Sequence, residues 1–327
     1  MSRTARLVWL GVLAVACVAP FVLSISQRDV LIYMVLYVVV AQSFRLITLT
    51  GDWSLGHVVT MGVGAYASAL LTKKLAFSFW LAMPSAGLVA ALFAFVLSFP
   101  LFRLKGFYFL IGSFAAGEAI RLCWYKFRDP FGGPTGILRI RAPELDLGSL
   151  GAIDFSDAIA FYFFALAFTV LCLWLMWRVE RSRIGLTLNA IHWRDVLAES
   201  VGVNVRRYKT LAFVVASFFA GSAGSMFVHY LSSANPNQFG LAVMLYLLVW
   251  VIVGGTRTFA GPIIGTVLLT IIDERLRVAG VDQYRPAIYG VILILTIRFL
   301  PQGLESLPAR ARAWWQDRRG TGPAAVN

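Results

Sequence analysis

Two oppositely charged residues, Glu118 and Arg121, lie three apart inside the apolar run GFYFLIGSFAAGEAIRL. On a helix that spacing puts both on one face. An ionised side chain surrounded by hydrocarbon is costly, so such residues pair with each other or face a bundle interior or water. Glu118 and Arg121 therefore form an internal ion pair, or Glu118 lines a polar path. A second polar island, Thr50-Gly51-Asp52-Trp53-Ser54-Leu55-Gly56-His57, interrupts the apolar sequence. Helices broken at membrane depth are where transporters present backbone dipoles to a substrate; an ordinary inner-face turn is the alternative. Ser54, Gly56, His57, Glu118 and Arg121 are thus the candidates for a substrate path. Glu118 suits an ammonium group, and a helix N-terminus after Gly51 or Gly56 suits a carboxylate.

The third feature is the charged stretch at residues 178–209, RVERSRIGLTLNAIHWRDVLAESVGVNVRRYK. It is the one sizeable segment after residue 160 that belongs in water, and a soluble partner can take hold there. Ile184, Leu188, Ile191, Val196 and Leu197 fit a single helical face only in part, and Gly185 and Gly202 punctuate the stretch. Short helices broken by turns are expected, one of them lying across the membrane surface.

Other chemistry is excluded by what the chain lacks. There is no GxxxxGK[ST] loop, so no P-loop ATPase site, and no HExxH or GxSxG. Gly62-x-Gly64-x-x-Ala67 sits in an apolar run and reads as helix packing, not as a dinucleotide fingerprint. Cys17, Cys123 and Cys172 are far apart without CxxC spacing, which argues against a metal site. No enzyme activity and no bound cofactor or metal are expected of this chain.

The elements that position these residues follow from composition. Of 327 residues, 59% are hydrophobic and only 14% charged, with a mean hydropathy of +0.76. A soluble domain carries about 25% charged residues. The chain is therefore an all-α polytopic membrane protein. Its net charge of +13 is concentrated in short connectors and at the ends, the distribution that membrane orientation requires, and not in a nucleic-acid-binding face. About ten helical spans are expected, at residues 7–26, 30–50, 57–72, 79–101, 106–123, 157–177, 210–231, 241–256, 260–279 and 285–300. The first is read as a retained span and not a cleaved signal peptide, because its apolar run continues past Cys17 to Leu23. With Arg3 and Arg6 inside, parity returns Arg103-Leu104-Lys105, residues 178–209 and Arg310, Arg312, Arg318 and Arg319 to the same side. Lys73-Lys74 falls outside and breaks the rule, which marks 57–72 as a re-entrant or broken segment. The result is a single transmembrane domain over 1–309, with an outer loop at 124–156 and a cytoplasmic loop at 178–209, followed by a basic cytoplasmic tail at 310–327. Ala216, Ala220 and Gly224, Gly221 and Ser225, and Gly261 and Gly265 recur at the spacing that lets membrane helices approach closely.

Collinear pieces of the chain resemble one family. Arg181-Ser182-Arg183-Ile184-Gly185, Ala198-Glu199-Ser200-Val201-Gly202-Val203-Asn204-Val205 and Tyr208-Lys209-Thr210-Leu211-Ala212-Phe213 resemble the cytoplasmic loop of M-type (LivM-like) permease subunits of branched-chain amino acid ABC importers. So do Ser54-Leu55-Gly56-His57, Gly117-Glu118-x-x-Arg121, Gly132-Gly133-Pro134-x-Gly136, Gly254-Gly255, Gly261-Pro262-x-x-Gly265 and Pro301-Gln302-Gly303-Leu304. Asp52-Trp53, Val58-Val59, Ser200 and Thr256-Arg257-Thr258 depart from the family pattern and leave the solute open among branched-chain amino acids, urea, amides and small aromatic acids. The resemblance implies ATP-driven import across the bacterial inner membrane with both termini cytoplasmic. It implies an H-type permease partner, two ABC ATPase subunits that use ATP and Mg, and a periplasmic or extracellular binding protein. Arg181, Arg183, Gly185, Glu199, Gly202 and Tyr208 would couple to an ATPase. The competing class is an ion-coupled secondary transporter, for which Glu118 is the one good coupling carboxylate.

Overall fold

The computed structural model describes residues 3–146 and 152–307. The basic tail at 310–327 and the centre of the outer loop lie outside the described residues. Among the described residues twelve α-helices dominate, in the order α1 (Arg3–Val22), α2 (Ile25–Thr48), α3 (His57–Lys74), α4 (Phe79–Leu101), α5 (Phe107–Lys126), α6 (Ala158–Glu180), α7 (Arg183–Trp193), α8 (Asp195–Ser200), α9 (Val205–Leu231), α10 (Leu241–Gly254), α11 (Gly261–Val278) and α12 (Arg285–Phe299). Every apolar run predicted as a span lies on one of α1–α6 or α9–α12. Among the described residues, six segments are long and apolar enough to cross a membrane: Ile25–Thr48, Phe79–Leu101, Ala158–Glu180, Val205–Leu231, Pro236–Gly254 and Asp282–Ser306. α1, α3, α5 and α11 fall outside that set, α1 contributing only a shorter apolar stretch, Leu13–Val22, so the ten-span count does not follow from length and apolarity. α3 carries Lys73 and Lys74 in its last turn, and α11 closes on Asp273, Glu274, Arg275 and Arg277.

The expected break falls elsewhere than within 57–72. α3 is continuous from His57 to Lys74, and the interruption is the segment 49–56 before it.

Two compact units divide the chain, Met1–Met244 and Leu245–Asn327. In the first, α9 packs against α2, α3 and α4, and α2 packs against α6. Small residues allow this. A side chain on Gly64 would place its Cβ 2.3 Å from the Gly221 backbone, and one on Gly224 would place it 2.1 Å from the Met61 carbonyl oxygen. The predicted small-residue face of α9 is therefore a contact between backbones. The connector after α5 pairs with the chain after α9, Ile137 opposite Ala234, and His229 Nδ1 donates to the Arg141 carbonyl (2.7 Å). A second short ribbon pairs Glu144–Asp146 with Ala152–Asp154.

In the second unit, Gly265 lets α11 approach α10, since a Cβ there would sit 2.0 Å from the Trp250 carbonyl oxygen. Asp273 accepts from Tyr289 (2.8 Å) and pairs with Arg285, while Trp250 donates to the Tyr289 oxygen (2.8 Å). Glu305 accepts from the backbone N–H groups of Arg257 and Thr258 at 2.8 Å each, which closes the α10–α11 connection.

Candidate functional site

Glu118 opens onto a shallow cleft whose walls include Leu55, Val58 and Val59 at the start of α3, Phe114 on α5, and Phe239 and Met244. Glycines bring these elements together. A Cβ on Gly56 would lie 2.4 Å from the Ser113 carbonyl oxygen, and one on Gly117 would lie 3.1 Å from the Val59 side chain. The Leu55 N–H donates to Ser113 Oγ (3.0 Å), fixing the polar island to α5. Glu118 and Arg121 are indeed on one face: Arg121 Nε donates to both carboxylate oxygens, at 3.0 and 2.9 Å, and its Nη2 adds a third contact. Asn237 Oδ1 accepts from Arg121 Nη1 at 3.4 Å. The ion pair and the cleft-lining position are one arrangement. It offers an apolar wall with a single held carboxylate.

The other path candidates do not line this cleft. Ser54 and His57 are fully buried, and His57 Nε2 is hydrogen-bonded to Ser43 Oγ on α2 (2.9 Å). The Ser54 hydroxyl and His57 Nδ1 find no hydrogen-bond partner among the described residues. Gly56 packs on α5 as described. The side chains of this segment that face the cleft are those of their apolar neighbours Leu55, Val58 and Val59.

The charged stretch runs from the last turn of α6 to the first turn of α9, with the short helices α7 and α8 and turns between them, as its pattern predicts. Ser182 caps α7, its Oγ accepting from the Ile184 N–H (3.2 Å). Gly185 does not interrupt the helix; it sits in the first turn because a Cβ there would meet the Glu180 carbonyl oxygen at 1.8 Å. Gly202 does end a helix, with φ +86° after α8, a conformation glycine adopts without steric cost. Ile184, Leu188 and Ile191 turn inward, and Tyr208 packs against both inner clusters. Val196 and Leu197 instead face outward. Leu186, Trp193 and Val201 are likewise large exposed apolar side chains, Trp193 and Val201 each at 76% exposure. Arg181, Arg183 and Glu199 are exposed beside them, and Arg181 lies over the Trp177 ring, 4.5 Å from its centroid.

The ion pairs that tie the ends of this stretch to α2 and the break after it escape the sequence reading. Arg45, 1% exposed, holds Glu180 bidentately at 2.7 and 2.9 Å, and Lys209 pairs with Asp52 at 2.9 Å. Arg45 lies in an apolar run, and the reasoning applied to Glu118 would have flagged it. Its partner, far along the chain, has no spacing signal.

The family described as "Branched-chain amino acid transport system / permease component" matches residues 27–297. This chain belongs to that family. The high-affinity branched-chain amino acid transport system permease protein LivM of Escherichia coli (strain K12) is 30% identical over 317 residues, covering 91% of this chain and 74% of the relative. LivM of Salmonella typhimurium is 29% identical with the same coverage. The ribose import permease protein RbsC of Escherichia coli (strain K12) is 28% identical over 131 residues, covering 38% of this chain and 40% of the relative. No solved structure matches the chain. Membership in this permease family agrees with the all-α architecture and the apolar helices.

Proposed function

We propose that this chain is the transmembrane permease subunit of an ATP-driven ABC importer. The observation that carries this reading is the group of large exposed apolar side chains on and just after α7–α8, on a short segment rich in charged residues that belongs in water. Exposed apolar surface rimmed by polar residues marks a protein contact, and aromatic anchors such as Trp193 dominate contact energies. Each of two ATPases would grip the 178–209 loop of its permease. The second permease would be an H-type subunit, and a periplasmic or extracellular binding protein would deliver solute at the outer face. In this scheme residues 1–309 cross the bacterial inner membrane about ten times, with both termini and the tail at 310–327 cytoplasmic. ATP and Mg would act in the partner subunits.

The solute is a branched-chain amino acid or a related small polar molecule such as urea, an amide or an aromatic acid. Family membership and the relation to LivM support the first; the partial match to a ribose permease keeps the class broad. Glu118 would meet an ammonium group, and the apolar cleft wall an aliphatic side chain. An ion-coupled secondary transporter, with Glu118 as its coupling carboxylate, is the competing class, and uptake that ignores vanadate but collapses with a protonophore would favour it.

Glu199→Arg and Gly202→Trp test the ATP-driven reading. In the assembled complex, uptake per ATP hydrolysed is expected to fall about 5- to 150-fold, with membrane insertion intact. Normal coupled uptake in both variants would contradict it. Glu118→Gln tests the path: loss of a charge-assisted hydrogen bond to solute, worth about 1.5–3 kcal/mol, should raise the KM for L-leucine at least tenfold. An unchanged KM, together with poor assembly of Arg121→Gln, would make the pair structural.

A further inference from the structure

Three polar contacts tie the charged loop to one short piece of chain. At the loop's start, Glu180 takes both Nη atoms of Arg45. At its middle, His192 Nδ1 donates to the Thr48 carbonyl (3.1 Å). At its end, Lys209 Nζ meets both oxygens of Asp52, at 2.9 and 3.2 Å. All three anchors fall within residues 45–52, the last turn of α2 and the break that follows it. Thr50 Oγ1 donates to Asp52 (3.2 Å), which stiffens the turn from inside. Beyond the turn, the chain is equally fixed to the cleft: the Leu55 N–H is held by Ser113 Oγ, and Gly56 lies directly on the α5 backbone.

We infer that residues 45–57 transmit motion between the 178–209 loop and the Glu118 cleft, and that Asp52 and Lys209 are positioning residues of the transport cycle. This inference rests on the ATP-driven reading proposed above. A close-packed interior does not deform continuously; it passes force between discrete arrangements. A shift of α7 therefore reaches the 45–52 turn through His192 and Thr48, while the ion pairs from the end of α6 and the start of α9 hold the turn to the two ends of the loop. The turn cannot move without Leu55 and Gly56, and these cannot move without α5. Glu118 stands on the same helix as Ser113. Between the anchors and the cleft lie the Ser54 hydroxyl and His57 Nδ1, both buried without partners among the described residues. Buried polar groups are normally satisfied. Two orphans on the connecting strand of chain fit an element that has a second arrangement in which they find partners.

The test uses the complex in the membranes of its own host. Phe114→Cys, in a background with Cys17, Cys123 and Cys172 replaced, reports on the cleft through its maleimide labelling rate. In inverted vesicles, ATP with vanadate is expected to change that rate about fivefold or more. Asp52→Asn and Lys209→Met should each abolish the change while the ATPase still co-purifies. Lys209→Arg, which keeps the charge, should restore it. If both variants respond to nucleotide as the parent does, the transmission role is wrong and the ATP-driven reading stands. If both lose the ATPase, the pair merely shapes the docking surface and the inference fails. A parent that shows no nucleotide effect overturns the ATP-driven reading itself and the inference with it.

Discussion

Replacing Arg45 with methionine is expected to be among the most damaging single changes in this chain. Arg45 is 1% exposed and spends both Nη atoms on Glu180. Breaking a buried pair by removing one partner costs about 3–5 kcal/mol, because the remaining charge stays desolvated. The Glu180 side chain retains 20% exposure at the end of α6, so water relieves part of this and the lower end of that range applies. Set against a total stability of about 5–15 kcal/mol, the loss should lower the melting temperature in detergent and the amount of protein in the membrane. Arg45→Met with Glu180→Leu should recover most of the stability, since an apolar pair of similar volume often substitutes for a buried ion pair. Parent-like melting of the Arg45→Met single variant would contradict this burial.

The second large effect is steric. Gly64→Val would drive a Cβ to 2.3 Å from the Gly221 backbone, and Gly221 is itself backed by Ala90, whose Cβ lies 2.4 Å from where its own would be. Neither neighbour is the free end of a flexible side chain. Overpacking typically costs about 1–3 kcal/mol and more where backbone must shift, so separation of α3 from α9 is expected. Gly290→Ala on α12 is the control, because nothing lies within 4 Å of its added Cβ. It should change stability by less than about 0.5 kcal/mol. Size-exclusion profiles of heated detergent samples report both. A Gly64→Val protein that elutes and melts as the parent does would mean that α3 and α9 are not in backbone contact.

How much of this was legible beforehand depends on whether the signal was local. Apolar length places a helix anywhere in a chain, so the runs at 79–101 and 157–177 reappear as α4 and α6 with small boundary shifts. Charge periodicity over three residues is local as well, and Glu118 and Arg121 pair as their spacing requires. The polar island at 50–57 was legible as an interruption, whereas 57–72 was suspected of a break only because Lys73 and Lys74 sit on the wrong side by parity; its glycines pack as their spacing suggests, Gly64 against Gly221 of α9. Gly185 deceived: a glycine that admits a carbonyl and a glycine that ends a helix are identical in sequence. Arg45–Glu180 and Asp52–Lys209 were missed because each joins segments far apart in the chain. Only the packing of α2 against α6 and α9 brings them together. The outward face of α7–α8 was also hidden, since Val196 and Leu197 look like core positions until the chain breaks at Arg194.

The grip of a separate ATPase on the 178–209 loop is tested most directly at Trp193, the exposed aromatic at the end of α7. Replacing it with a photoreactive phenylalanine analogue and irradiating intact membranes of the host should cross-link this chain to a P-loop ATPase. That adduct should disappear when the same analogue is placed at Phe95, which faces outward on α4. Solute uptake in the same cells should stop with vanadate. No ATPase adduct from Trp193, with uptake that ignores vanadate and collapses with a protonophore, would contradict the account.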